Sequence, residues 1–278
     1  MTFLVHLLDW SGWLLWLSYR RVGADPTRPA GTLLGNLRPA VPLPRRSWVS
    51  LIALILLLVL RPLLLAVVAS ATDATPTWSP GPIVIAFRAD DWGRLYLFST
   101  IHFFWTGITA YAVLLAFSWL SRGVPEMVSF NDFIASLAGP VARFPWPILV
   151  VLPWLLGAGL WLGIGHLLTQ EHLVPVVRGS GQWLMEAAVM GCAVWMPLRW
   201  ALFFVLLLRF LHNYVYMGEH PAWAFVQMMG RRLQAPLGWV PLEFGRMDMA
   251  PAVVGILYLA LGEAIQRLLA WLFGRVLA

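Results

Sequence analysis

The sequence predicts an all-α polytopic membrane protein, with six transmembrane helices and short amphipathic interfacial helices on the cytoplasmic side. Three observations predict it. Hydrophobic residues make up 60% of the 278-residue chain and charged residues only 12%, about half of the ~25% charge that a water-facing domain carries. Six stretches are apolar over close to the ~20 residues that cross a bilayer. All 19 basic residues are arginine, and most of them fall in alternate loops. This balance excludes a soluble globular enzyme, a disordered tail and a disulfide scaffold. The one cysteine, Cys192, leaves no intrachain disulfide.

The spans are read as 3–19, 49–70, 95–120, 147–168, 183–211 and 251–273. The first is short and carries His6 and Asp9. It is not a cleaved leader, because it lacks a basic start and Tyr19-Arg20-Arg21 replaces a small-residue cleavage site. Arg61-Pro62 interrupts the second span and Pro197 the fifth. The loops after spans one, three and five hold eleven arginines, six of them between 20 and 46, whereas the other side holds Arg88, Arg94, Arg178 and Arg275. The positive-inside rule puts the richer loops in the cytoplasm and both termini outside. Trp10, Trp48, Trp92, Trp146, Trp183 and Trp271 fall near span ends, as an aromatic belt does.

The three arginine-rich loops follow one plan. Each opens with a proline (Pro26, Pro125, Pro221), continues with an amphipathic segment and meets a second proline (Pro39, Pro140, Pro236) 13, 15 and 15 residues later. In the middle loop Phe130, Phe133, Ile134, Leu137, Val141 and Phe144 share one helical face. Ser129 and Asp132 resemble a capping box before it. The first loop offers Leu33, Leu34 and Leu37, the third Trp223, Val226 and Leu233. Such a segment lies in the headgroup plane with its apolar face down. The proline ends it and turns the chain into the bilayer. The chain thus reads as one membrane domain (1–278) of three repeat-like units, about 3–70, 95–168 and 183–273.

These loops resemble the YggT family of small membrane proteins. Gly230-Arg231-Arg232-Leu233-Gln234-Ala235-Pro236, followed by Gly245-Arg246-Met247-Asp248-Met249-Ala250-Pro251, is similar to that family's basic, proline-containing stretch and the Asp-hydrophobe-Ser-Pro lead-in to its next span. Ala250 stands where the family has serine. Asp25-Pro26-x-x-Pro29 and Arg38-Pro39 resemble the family's Asp-Pro-x-x-Pro and Arg-Pro elements. The first unit offers Ser47-Trp48-Val49-Ser50 instead of the aspartate lead-in. The middle unit matches in pattern only. Family members usually hold one or two units, so three is a departure. The resemblance implies a helical protein of the bacterial inner membrane with a role in osmotic tolerance, membrane-complex assembly, or organisation of division or nucleoids. It carries over no catalytic residue.

No nucleophile elbow, phosphate loop or metal-ligand motif is present, so no catalytic residue, metal or cofactor is assigned. Polar groups inside spans are costly and mark sites to weigh. Counting from the ends of spans one and two at ~1.5 Å per residue places Asp9 and Arg61 at similar depth. Arg199 and Glu263 sit near the middle of spans five and six. Each couple reads as an ion pair that pins two helices, with an ion pathway as the alternative. His102 and His166 lie toward the outer ends of spans three and four, where two histidines can ligate a haem or pigment. Satisfied polar histidines are the plainer reading. Gly159 and Gly163 form a small-xxx-small pair, suited to close packing within the bundle or against a partner.

Three functions are weighed. The first is a non-enzymatic scaffold or accessory subunit with the bilayer, and a membrane-protein partner or second copy, as its contacts. The second is a cofactor-ligating subunit of a redox or photosynthetic complex. The third is a small transporter or channel. Nucleic acid is excluded as a partner, because no soluble domain presents the arginines.

Overall fold

The computed structural model describes residues 2–22, 47–73, 75–122, 134, 137–174, 179–215, 221–240, 242–244 and 247–277. They are almost wholly helical. The helices are α1 (Thr2–Val22), α2 (Ser47–Thr72), α3 (Trp92–Leu120), α4 (Trp146–Gln170), α5 (Ser180–Ala193), α6 (Leu198–Tyr214), α7 (Pro221–Gln234) and α8 (Ala250–Leu277). The strands are two residues long. Five helical segments are long and apolar enough to cross a membrane: Trp48–Thr72, Trp92–Leu120, Trp146–Gln170, Ser180–Tyr214 and Ala250–Arg275. The protein is therefore multi-pass. The first predicted span differs. α1 is helical over 21 residues but is less apolar than those five, because Asp9, Ser11, Ser18 and the terminal arginines dilute it.

The chain forms two compact units, Met1–Trp78 with Ala86–Phe104, and Ser79–Ile85 with Trp105–Ala278. Their division falls inside α3, so these units are not the three repeats read from the loops. In the first unit α1 packs along α2. Val5, Leu8, Asp9 and Gly12 are its buried positions, a stripe of helical spacing. Gly12 permits the close approach of α1 to α3, since a Cβ there would lie 2.7 Å from the Phe103 ring, and 3.3 Å from Leu57 of α2. Ile52, Ile55, Leu56, Val59 and Val67 of α2 stay exposed, as expected of a face turned to lipid. Pro62 does not interrupt α2, contrary to the sequence expectation. Spanning helices tolerate proline where neighbours take up the freed backbone, and Tyr96 donates its hydroxyl to the nearby Val59 carbonyl at 3.4 Å.

α3 starts where Asp91 accepts the Arg94 backbone N–H at 3.2 Å, a side-chain cap. Just before it, Arg88 donates to both carboxylate oxygens of the exposed Asp90, at 3.2 and 2.8 Å. That contact holds the Asp90 carboxyl below its usual range.

In the second unit α4 packs on α5, α5 on α8, and α6 on both α7 and α8. Pro197 does break the fifth predicted span, into α5 and α6. α7 is amphipathic as expected. Phe225, Val226, Met229 and Leu233 are buried with Leu202, Val205 and Leu206 of α6 and Val254 of α8, while Arg231 and Arg232 are exposed. The loop segments with Leu33, Leu34 and Leu37, and with Ser129, Phe130, Asp132 and Phe133, lie outside the described residues. The end of the middle segment departs from one continuous helix. Gly139 takes φ 72°, a left-handed turn that glycine adopts without strain. Gly139–Arg143 is then a 3-10 turn, and Phe144 is exposed rather than on the buried face. Ala138, Ala142, Leu115 and Leu149 close this corner, and Tyr111 donates its hydroxyl to the Ala138 carbonyl at 2.8 Å.

Candidate functional site

The strongest polar cluster lies in the first unit. Helical periodicity puts Asp9 on the buried stripe of α1, and Asp9 and Arg61 are both 0% exposed. Arg61 Nη1 stands 2.7 Å from Asp9 Oδ1 and donates to the Ser99 carbonyl of α3 at 3.0 Å. The other carboxylate oxygen, Asp9 Oδ2, is 2.6 Å from His102 Nδ1. One carboxylate thus joins α1, α2 and α3. Phe98 lies with its ring centre 5.5 Å from that of His102, and His6 with its own 5.4 Å away. The sequence paired Asp9 with Arg61 but treated His102 separately. Depth was the available signal, since all three residues lie toward one end of their spans.

Donor atoms of His6, Asp9 and His102 all lie within 4.8 Å of one another, a separation a metal could bridge. The charge balance speaks against one. Arg61 already neutralises Asp9, and a dication would sit beside a buried guanidinium in an apolar setting. The cluster's chemistry is that of a closed, charge-matched clasp.

The two predicted cofactor histidines belong to different units. His102 is bound to Asp9, and His166 shares a 3.0 Å contact with Gln170 one turn on in α4.

In the second unit Arg199 of α6 reaches α8. Its Nη1 lies 3.4 Å from Glu263 Oε2, and its Nη2 donates to Gln266 Oε1 at 2.6 Å. Glu263 is half exposed and its Oε1 is also 3.1 Å from Arg267 Nε. A shared, exposed pair of this kind contributes little. Gly262 makes the approach of Arg199 possible, because a Cβ there would lie 2.5 Å from Arg199 Cδ. Gly230 does the same for Arg209 of α6, at 2.3 Å. Sequence reading passed over Arg209, now 9% exposed, and Glu186 of α5, 1% exposed. Glu186 accepts the Trp161 indole N–H at 3.3 Å.

The glycine pair requires a correction. Among the described residues nothing packs on Gly159 or Gly163: a Cβ on either would meet open space. The close approach of α4 to α5 uses Gly157 and Gly165 instead. A Cβ at Gly157 would lie 2.3 Å from Val194 Cγ2, and one at Gly165 2.4 Å from the Trp183 ring. At ~100° per residue, Gly159 and Gly163 point to the far side of the helix from Gly157 and Gly165. The small-xxx-small spacing identified a flat face, but not the face that packs.

The lead-in to α8 has a clear physical role. Glu243–Phe244 pairs antiparallel with Met247–Asp248, and the Met249 N–H bonds back to the Leu242 carbonyl at 3.0 Å. Asp248 Oδ1 accepts the Ala250 N–H at 3.0 Å, and Pro251 occupies the first turn, where its missing N–H costs nothing. The aspartate therefore satisfies a helix-start donor and the proline pre-forms the turn. Asp248→Ala is expected to lower stability by about 1 kcal/mol and Asp248→Asn by much less; equal melting of all three proteins in detergent would reject this capping role. Pro236 lies in the 3-10 turn Ala235–Leu237. Arg232 Nη1 donates to the Leu120 and Arg122 carbonyls, at 2.5 and 2.9 Å, and so caps the end of α3. Asp25, Pro26, Arg38 and Pro39 lie outside the described residues.

Compared with family models, with curated proteins and with solved structures, the chain matches none.

Proposed function

We propose that this protein is a non-enzymatic integral membrane scaffold or assembly subunit of the YggT kind, serving a membrane complex or osmotic tolerance. In this reading it is a bacterial inner-membrane protein with α1 as a sixth span. Both termini are outside, and α7, with the arginine-rich loops, forms a cytoplasmic interfacial platform. The arginine distribution supports that orientation, and the Asp248 and Pro251 lead-in supports the family resemblance.

One observation carries the scaffold reading. The face of α4 bearing Gly159 and Gly163 is open and lies among exposed Leu155, Leu156, Leu162 and Leu167. Helices associate in lipid through small residues that let backbones approach. The partner is a membrane protein or a second copy of this chain. Affinity purification in mild detergent with mass spectrometry tests it. The wild type is expected to bring down a membrane partner or a second copy, and Gly159→Leu with Gly163→Leu to lose it. A wild type that is monomeric and alone would reject the scaffold.

A further inference from the structure

The second unit contains a feature the scaffold does not use. Beside the helix break at Pro197 lies a polar cavity of about 290 Å³, lined by Ser79, Gly81, Arg199 and Gln266 with Trp105 and Trp200 at its walls. Met196 and Arg199 also line an apolar groove of about 400 Å³, with Val151, Leu261 and Ile265. Val150, Trp195, Leu198, Leu202 and Tyr258 are common to that groove and a second one, also about 400 Å³, which continues to Trp146 and Leu233. Arg199 therefore lines both the polar chamber and the first apolar groove.

Charge and depth suit the same occupant. Arg199 and Arg267 share the single carboxylate of Glu263, so this trio holds one positive charge in excess. Glu263 lies about 20 Å and Arg267 about 26 Å along α8 from Ala250, within reach of the far headgroup layer of a ~30 Å core. Ser79 and Gly81 belong to the connection between two spanning helices, and Gln266 donates to the Gly81 carbonyl at 3.4 Å. Irregular backbone of this kind belongs at the membrane surface. The groove runs the other way, along α4 over about 12 Å from Trp154 to Trp146, toward the opposite membrane surface.

We propose that this is a binding site for an anionic phospholipid, with its headgroup phosphate in the chamber against Arg199 and one acyl chain in the groove. The arginine supplies a charge-assisted contact, and the walls replace bulk lipid around the chain. The site does not depend on the scaffold reading, since its residues lie off the Gly159 and Gly163 face.

Native mass spectrometry of the full chain in detergent tests the proposal, with phosphatidylglycerol and phosphatidylcholine added in turn. The wild type is expected to retain phosphatidylglycerol preferentially. Arg199→Gln weakens that binding roughly fivefold and leaves phosphatidylcholine unchanged. Val151→Trp fills the groove and weakens both lipids. Arg275→Gln, whose arginine stacks on Trp271 at 4.3 Å and lines neither cavity, binds as wild type. Equal retention of the two lipids by the wild type overturns the proposal, as does unchanged phosphatidylglycerol binding in either site variant. Displacement of phosphatidylglycerol by an equal concentration of glycerol 3-phosphate also overturns it, because the site would then serve a free anion. If Arg199→Gln fails to fold, the wild-type lipid preference and the Val151→Trp arm decide the matter alone.

Discussion

Asp9→Asn is expected to destabilise the protein by about 3–5 kcal/mol, the cost of stranding a buried charge whose partner has been removed. Arg61 is fully buried and its salt bridge is to Asp9. The substitution keeps the size and a hydrogen-bonding oxygen, so the loss is one of charge. Removing both charges is expected to cost far less. Asp9→Leu combined with Arg61→Met replaces the pair by apolar groups of similar volume, and such exchanges are often neutral. Unfolding in a denaturing-detergent titration measures both. A single variant that unfolds with the wild type, or a double variant as unstable as the single, would reject the clasp. His102→Phe should fall between, since it removes one ligand of Asp9 and leaves the ion pair.

The second large effect separates two glycines two residues apart. Gly157→Leu is expected to cost about 1–3 kcal/mol by overpacking, because its first added carbon would already lie 2.3 Å from Val194. Gly159→Leu is expected to change stability by less than about 0.5 kcal/mol, because that side of α4 is open. The same denaturation series checks both. Equal losses would mean that α4 and α5 do not meet along Gly157 and Gly165. Gly159→Leu also separates roles: it should leave the fold intact while weakening partner capture.

Much of the architecture was legible in the sequence because crossing a bilayer is mainly a matter of length and apolarity. Spans two, three, four and six stand close to α2, α3, α4 and α8, and Pro197 marked the break between α5 and α6. Pro62 misled, because a spanning helix can pass through proline when neighbouring groups take up its freed backbone. Depth counting brought Asp9 to Arg61, since residues at equal depth on adjacent spans can meet. It could have brought His102 as well. Glu186 and Arg209 gave no such signal, since among the described residues neither forms an ion pair that equal depth on adjacent spans would have suggested. The glycines of span four show where local spacing stops being informative. Gly157, Gly159, Gly163 and Gly165 look alike in sequence, and only the position of α5 tells which two must stay small.

By itself, then, the sequence determined that the chain is a multi-pass helical membrane protein, where five of its apolar helical segments lie and which segment starts α8. Those follow from hydropathy, chain length and turn chemistry, which act locally. The tertiary structure decided that three helices close on one carboxylate, that Gly157 and Gly165 make the contact of α4 with α5, and that a polar chamber opens beside Arg199. Each of those depends on which faces of separate helices meet, and helix faces are chosen by packing between elements distant in the chain.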